Sequence, residues 1–565
     1  MTMATSERMS LGPRRAGIEF HHPAAFWAGT ASIVAGVMLH LPDFASAGEM
    51  DYELAGMPMS AWMLLGMALI IGGFVLAAWG LMPRAETTEE RRRASLQRNY
   101  HLRAMDDAAL TPAHWGLLFV LGVALIIDVM KPATLGFVVP GMSDEYGFSK
   151  QVGAWLLVAA LTGTTVGSVF WGMMADRIGR RAAILLASLM FIGTAICGFM
   201  PSFGWNLLMC FLMGASAGGM LPIVYALMAE SVPAKRRGWL VVLHGGLGTV
   251  GGILVAAGLA ALLEPIFSWR ILWFLGLPTG LLMLVLNRWI PESPRFLMEH
   301  GRIDEAEAVM FRFGVVMEET AEPGPHEEEI EPPNAHYSGL PQLFRWPYVW
   351  QTFTVLLYGL AWGLVNWGFI AFLPTFLQDA GFGAGTASTL LFLGALIAIP
   401  ATVLVAYAYG MWSSKKSMVL YAAATVACLL GFAILNPDSP QASRVAIVSI
   451  VALLFIASGG VISMLSPYTA EIYPTRLRGT GSGLSAGSSK LGGFIGAVGT
   501  VAGIITVSTG IVAPAILVSI PMALAAVVVA AKGIETRGRR LEEIAEGVLP
   551  DVAREPVGPW VRPGG

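Results

Sequence analysis

Apolar runs of about 20 residues recur along the whole chain between short polar segments, and each is long enough to cross a bilayer's roughly 30 Å hydrocarbon layer as a helix. Two occupy residues 24–42 and 61–82, six lie between about 113 and 290, and six more between about 350 and 532, which predicts fourteen transmembrane helices. One run breaks its own pattern. "GLLFVLGVALIIDVMKPATLGFVVPG", residues 116–141, carries Asp128 and Lys131 near its middle, where a charge costs about 2.5–3.5 kcal/mol on insertion scales. Spaced i, i+3, the two share a helix face and are expected to pair, which offsets part of that cost.

The polar segments orient the runs. Arg14 and Arg15, the cluster Arg91, Arg92, Arg93, Arg98 and Arg103, then Arg177, Arg180, Arg181, Lys235, Arg236, Arg237, Lys415, Lys416, Arg476, Arg478, Arg537, Arg539 and Arg540 all fall on one side. Lys and Arg accumulate in cytoplasmic loops, so both termini are expected in the cytoplasm and the chain in the plasma (inner) membrane. The opposite loops carry acids such as Asp43, Glu49, Asp51 and Glu53. "AESVPAKRRG" at 229–238 and "AEIYPTRLRG" at 470–479 share Ala, Glu, Pro, Arg and Gly, an offset of 241 residues (471 minus 230). "PESPR" at 291 and "IETRGR" at 534 align Glu292 with Glu535 at an offset of 243 (535 minus 292). Two similar offsets in different loops indicate one duplicated six-helix unit.

The expected organisation is a tail (1–23), an additional two-helix hairpin (24–82), a basic linker (83–112), a first six-helix repeat (113–291), a central loop (292–346), a second repeat (347–532) and a C-terminal tail (533–565). Within the central loop, "GRIDEAEAVMFRFG" reads as a short amphipathic helix and "EPGPHEEEIEPP" as an acidic linker. "ASA" at 45–47, after Arg14, Arg15 and an apolar run, also resembles a signal-peptide cleavage site. Against it stand a long polar lead and a run of nearly full spanning length.

Composition agrees with a polytopic membrane protein: 55% of residues are hydrophobic and 13% charged, against about 25% charge in an ordinary soluble domain. The net charge of −3 is spread between apolar runs and forms no basic patch for nucleic acid. Cys197, Cys210 and Cys428 sit inside apolar segments, as small core residues rather than disulfide or metal ligands.

"GMMADRIGRR", residues 172–181, resembles the cytoplasmic signature of the major facilitator superfamily, with Met174 where Leu is more usual. "AESVPAKRRG", "PESPRFL", "AEIYPTRLRG" and "GIETRGRRLEEI" are similar to its sugar-porter and metabolite/proton-symporter branches, over about residues 113–545. The resemblance implies an all-α major-facilitator fold and a cytoplasmic gate built from Gly172, Asp176, Arg177, Gly179, Arg180, Arg181, Glu230, Arg237, Glu292, Arg295, Glu471, Arg476 and Arg478. Asp176 would act as a latch, facing a helix N-terminus and an Arg in one conformation only. The bland reading of these residues is positive-inside anchoring and helix capping. The matching segment of the second half, "YAYGMWSSKKSM", keeps Lys415 and Lys416 without an acid, and the repeat offset puts Met411 near its place. Cys210 stands where many relatives carry a helix-four Arg, and "LHGGLGTVGGILVAAGLA" lacks the antiporter signature, which favours uptake over efflux.

Aromatic-acid/proton symporters resemble the Asp128 helix but carry acids at both positions; Lys131 replaces the second. The expected function is import of a small polar metabolite, an organic or aromatic acid before a sugar, with a proton on Asp128 and an anion contact at Lys131. His244, Gln351, Asn366 and Lys490 are further candidates to line the cavity, beside Trp362 and Trp367; each has a structural reading in backbone bonding or interfacial anchoring. No metal and no cofactor are expected. A sugar porter or a facilitative carrier is the alternative within the transporter class, and a nontransporting membrane sensor or an intramembrane serine hydrolase are the alternatives from other classes. "GASAG" at 214 and "GLSAG" at 483 match a serine-hydrolase elbow, which would pair Ser485 with His244, and "GLGTVG" at 246 matches a dinucleotide fingerprint. None follows a strand, and such runs also serve close helix packing.

Overall fold

The structure, a computed structural model, describes residues 22–82, 105–148, 150–315, 339–370, 373, 396–397, 399–435, 444–501, 511–541 and 543–544. The N-terminal tail, most of the basic linker, the acidic linker at 318–332 and the end of the C-terminal tail lie outside these residues. All regular structure in the described residues is helical. The principal helices are α1 (Pro23–Met38), α2 (Ala61–Leu81), α3 (Pro112–Ala133), α4 (Lys150–Ile178), α5 (Arg180–Gly193), α6 (Phe203–Ser231), α7 (Ala234–Phe267) and α8 (Ile271–Trp289). They continue with α9 (Val349–Gly368), α10 (described from Ile399 to Trp412), α11 (Ser414–Leu435), α12 (Arg444–Ile472), α13 (Thr475–Val501) and α14 (Val512–Lys532). Eleven helices among the described residues are long and apolar enough to span a membrane. α9 and α13 have the length and a more polar composition, rich in Gly and Ser in α13.

Local sequence sets the helix ends. Pro112 opens α3 behind Thr111, whose hydroxyl and amide both meet His114 Nδ1 (2.9 and 3.1 Å), leaving few orphan groups at that end. Gly179 separates α4 from α5 with φ +98°, a left-handed turn that a side chain would strain.

Buried apolar side chains form two large clusters. One draws on residues from Phe26 to Val315 and the other on residues from Leu343 to Ile544, with Ala470 and Val242 as the exchanges between them. The additional hairpin therefore packs as part of the first half. α1 and α2 meet through glycines seven residues apart: Gly29 and Gly36 against Gly73 and Gly66, so close that a Cβ at Gly29 would lie 2.4 Å from Gly73 O. In lipid, where chains of methylenes surround every helix, such close backbone contact supplies the packing. Trp27, Trp62, Ile71, Val75 and Trp79 point outward from the pair.

The loop after α1 is fastened at the acidic end of the bundle. Leu54 N and Ala55 N donate to Glu145 Oε1 (2.9 and 3.0 Å), and Glu145 pairs with Arg270 at 2.5 Å. Gly56 N donates to Pro201 O at 2.9 Å.

Candidate functional site: a gate at the basic end and a charge pair between the halves

At the end carrying the arginine-rich loops, the signature residues of α4 reach into the second half. Asp176 accepts bonds from Gly479 N (2.9 Å), Thr480 N (2.7 Å) and Thr480 Oγ1 (2.8 Å), near the start of α13. Within its own half it pairs with Arg180 at 3.2 Å. Arg180 donates to Glu230 (2.9 Å) and to Thr475 O (2.8 Å), and Glu230 receives Arg478 of α13 at 2.7 Å. Gly172 lies against the backbone of Gly479, where a Cβ would come within 2.3 Å of the carbonyl oxygen.

Beside the first set, Arg237 with Glu471 and Arg539 O and Arg476 with Glu299 also cross between the halves, supported by bonds within each half. Arg237 lies 3.9 Å from Glu471 and donates to Ala229 O (2.9 Å) and to Arg539 O (3.1 Å). Tyr409 Oη donates to Glu471 at 2.8 Å. Arg295 donates to Glu230 O at 2.7 Å, and Arg476 lies 4.0 Å from Glu299. Arg181 Nε donates to Asn287 at 3.0 Å, whereas Arg177 is exposed. With these cross-half bonds made, the bundle is closed at its basic end.

Glu292 and Glu535 do the same work in the two halves. Glu292 accepts Arg180 N (2.9 Å) and Arg181 N (3.1 Å), capping α5. Glu535 accepts Ser414 N (2.9 Å), Ser414 Oγ (2.7 Å) and the Ser413 hydroxyl, capping α11. Burial alone would push the Glu535 carboxyl up, but the donors from Ser413, Ser414 and Arg537 N outweigh it and hold the group below its ordinary 4.5.

The latch has no counterpart in the second half, for a reason the repeat offset does not reveal. Gly238, the repeat mate of Gly479 (479 minus 238 is 241), packs on Gly410 and Tyr409 as Gly479 packs on Gly172. From Gly172 to the cap of α5 at Gly179 is 7 residues (179 minus 172); from Gly410 to the cap of α11 at Ser413 is 3 (413 minus 410). One helical turn is missing, and the acid with it. Met411 is not its substitute.

The expected pairing of Asp128 with Lys131 is not formed. Lys131 turns into the first half, donating to Phe191 O (2.8 Å) and Thr194 Oγ1 (2.6 Å), with Nζ 4.1 Å from the Phe191 ring centre and against Gly276. It ties α3, α5 and α8 together, away from the second half. Three helix residues rotate a side chain by about 300°, so the two Cβ vectors diverge by about 60°, enough to send the longer side chain into a different cleft.

Asp128 is buried, and its Oδ1 has no hydrogen-bonding partner. The charge acting on it comes from Lys490 of α13, in the opposite half, and Asp128 acts in turn on the Tyr225 phenol of α6. Asp128 and Lys490 interact through charge without forming an ion pair. One turn beyond Lys490 on the same face, Phe494 joins Leu157, Val158 and Leu161 of α4 and Trp367 of α9 in a small apolar cluster shared by both halves. The Trp367 indole packs on Gly493 and its N–H is unpartnered. Asn366 is half-buried beside it, and Trp362 donates to Ser458 O at 3.0 Å.

His244 lies apart from this group: Nδ1 bonds Leu240 O at 2.7 Å, and the ring faces Gly122. Gln351 stands in the first turn of α9, fifteen residues and about 22 Å of helix rise from Asn366; it belongs to the level of the gate rather than to that of Asp128. Tyr225, Phe494 and the Asp106–Asp107 segment carried no signal strong enough to single them out in the sequence. Chemically, an ammonium, an unpartnered carboxyl and an aromatic wall at one interface can hold a small carboxylate with a ring and exchange a proton beside it.

Residues 117–497 match the Major Facilitator Superfamily. The chain belongs to that family. It is similar to a niacin transporter of Acinetobacter baylyi, 25% identical over 439 residues, or 76% of this chain and 96% of that protein. It is also similar to the benzoate transport protein of the same organism, 26% identical over 410 residues, or 70% and 84% of the two chains. Its fold matches a solved proton:xylose symporter with a TM-score of 0.62 at 16% identity, covering 77% of this chain and 99% of that one. The protein is thus a multi-pass membrane transporter of a small molecule and not an enzyme. The enzyme-like motifs have packing roles: a Cβ at Gly214 would sit 2.1 Å from Ala160 O of α4, and Ser485 accepts a bond from Thr469 Oγ1 at 3.0 Å.

Proposed function

We propose that this transporter imports a small aromatic or other organic acid across the plasma membrane together with a proton. The observation that carries the reading is Asp128, buried with an unpartnered carboxyl oxygen and opposed across the half-to-half interface by Lys490. An intramembrane charge without a contact partner is costly and points to function. Lys490 holds the substrate carboxylate, Phe494 and Trp367 face its ring, and Asp128 carries the proton. Niacin and benzoate, the compounds after which two relatives are named, both join an aromatic ring to a carboxylate. Lys131, engaged by Phe191 O and Thr194 inside the first half, is not the anion contact.

The distribution of Lys and Arg supports a cytoplasmic basic end, with both termini on that side. The described state is then closed to the cytoplasm, and rocking of the halves breaks the Asp176, Arg180 and Glu230 bonds to α13 to release cargo inside. The test is uptake of labelled benzoate and niacin by cells expressing the protein, with xylose as the neutral competitor. Lys490→Gln is expected to raise the half-saturation concentration for the carboxylates about tenfold or more, the loss of one charged hydrogen bond. Xylose uptake that carboxylates do not inhibit, with Lys490→Gln neutral, would sink the assignment.

A further inference from the structure

The segment that joins the additional hairpin to the first core helix lies among the gate residues, although it belongs to neither repeat. Met105 is buried in the first-half core and Asp106 is 1% exposed. Asp106 Oδ2 pairs with Arg295 at 2.6 Å, and Oδ1 lies 3.6 Å from Arg237. The next residue, Asp107, pairs with Arg540 of the tail that follows α14. That tail is itself docked: Arg539 O receives Arg237 Nη2 at 3.1 Å, and Leu541 and Ile544 are each 1% exposed.

We propose that the 105–107 segment is an additional fastening of the closed gate, joined to it through Arg237, which clips the tail of the second half onto the first. Met105 and Asp106 anchor the segment to the first half. Asp107 and the Asp106-oriented Arg237 hold the tail. Asp106 also neutralises Arg295, whose charge otherwise bears on Arg478 across the interface. The Asp107–Arg540 pair, the Arg237–Arg539 bond and this neutralisation favour the state in which the halves meet at the basic end. A two-state equilibrium moves only by interactions made unequally in its two states, and these are such interactions. Asp106 and Asp107 are therefore positioning residues of transport, contributed from outside the duplicated fold.

The test needs no substrate, so its failure is separable from that of the cargo assignment. The reporter is Ser482→Cys, one turn beyond Arg478 on the same face of α13 and 1% exposed in the closed gate. Alkylation of the introduced thiol by a membrane-impermeant maleimide is followed in vesicles that expose the basic end. The full-length protein is used, and the rate is corrected for the three buried native cysteines. Asp107→Arg is expected to speed alkylation about two- to fivefold, the scale of an exposed ion pair. The reciprocal pair Asp107→Arg with Arg540→Asp should return the rate to that of the parent. Asp106→Asn breaks pairs that lie within the first half and so acts on the gate only through the Arg237–Arg539 bond and the charge of Arg295; it should speed alkylation on the same two- to fivefold scale, and Asp106→Glu less. Because the exposed pair can be reversed without touching the core, the test survives a misfolded Asp106 variant. A parent rate in Asp107→Arg, or no recovery on charge reversal, overturns the proposal.

Discussion

Replacing Glu230 with Gln removes the charge on which two buried arginines converge while keeping the side chain's shape. Glu230 and Arg478 are 0% and 1% exposed and 2.7 Å apart. Glu230 and Arg180, 2.9 Å apart, lie in the same half, so that contact is lost equally whether the gate is closed or open and cancels. The bond to Arg478 crosses the interface and counts only when the gate is closed. Removing one partner of a buried pair costs about 3–5 kcal/mol; the lower end applies here because the amide oxygen still accepts one bond. At about 1.4 kcal/mol per decade, the closed-to-open ratio should fall about 150-fold. The assay is the distance between spin labels at exposed positions 177 and 416, one in each half at the basic end. The parent should show one short distance and Glu230→Gln mainly a long one. A folded variant with the parent's distribution would refute the claim that this bond holds the gate.

Three further outcomes follow from the same geometry. Lys131→Ala removes the bonds to Phe191 O and Thr194, each worth about 1.5–3 kcal/mol; it should lower the melting temperature of the purified protein by several degrees and leave benzoate half-saturation within about twofold. Gly36→Leu puts a side chain where a Cβ alone would lie 2.5 Å from Gly66 O; it should expose the hairpin loop to limited proteolysis, at an overpacking cost of about 1–3 kcal/mol. The Glu535 carboxyl sits below its ordinary 4.5 in the folded protein, so its contribution is present above that pH and is lost as pH falls through the folded value. Glu535→Gln should flatten the thermal-stability profile on its acid side, below pH 4.5, and an unchanged profile would contradict the capping account.

The all-helical, polytopic class was legible because bilayer thickness dictates run length, and no tertiary knowledge is needed to count apolar residues. The family was legible from the loop motifs "GMMADRIGRR", "AESVPAKRRG" and "AEIYPTRLRG" taken together. The direction of single side chains was not. Asp128 and Lys131 are three residues apart in sequence yet end in different clefts, because a helix fixes only the sector into which each points. No constant offset finds the second latch position: Met411 lies 235 residues after Asp176 (411 minus 176) where the loop motifs are 241 apart, because the second half is a turn shorter between Gly410 and Ser413. Asp106 and Asp107 carried no local signal, since their partners lie 189 and 433 residues away. The hairpin's glycines at 29 and 36, and at 66, 73 and 80, did carry a readable signal: a spacing of seven that returns each glycine to the same helix face.

The central claim, proton-coupled entry of an organic acid through Asp128, is tested most directly by external pH in a lightly buffered suspension of cells, with benzoate or niacin added above pH 7. The account predicts alkalinisation beyond that of cells lacking the protein. Cells expressing Asp128→Asn should lose the excess while still exchanging labelled substrate. Equal alkalinisation by the parent and Asp128→Asn, or labelled acid accumulating with no pH change, would contradict it.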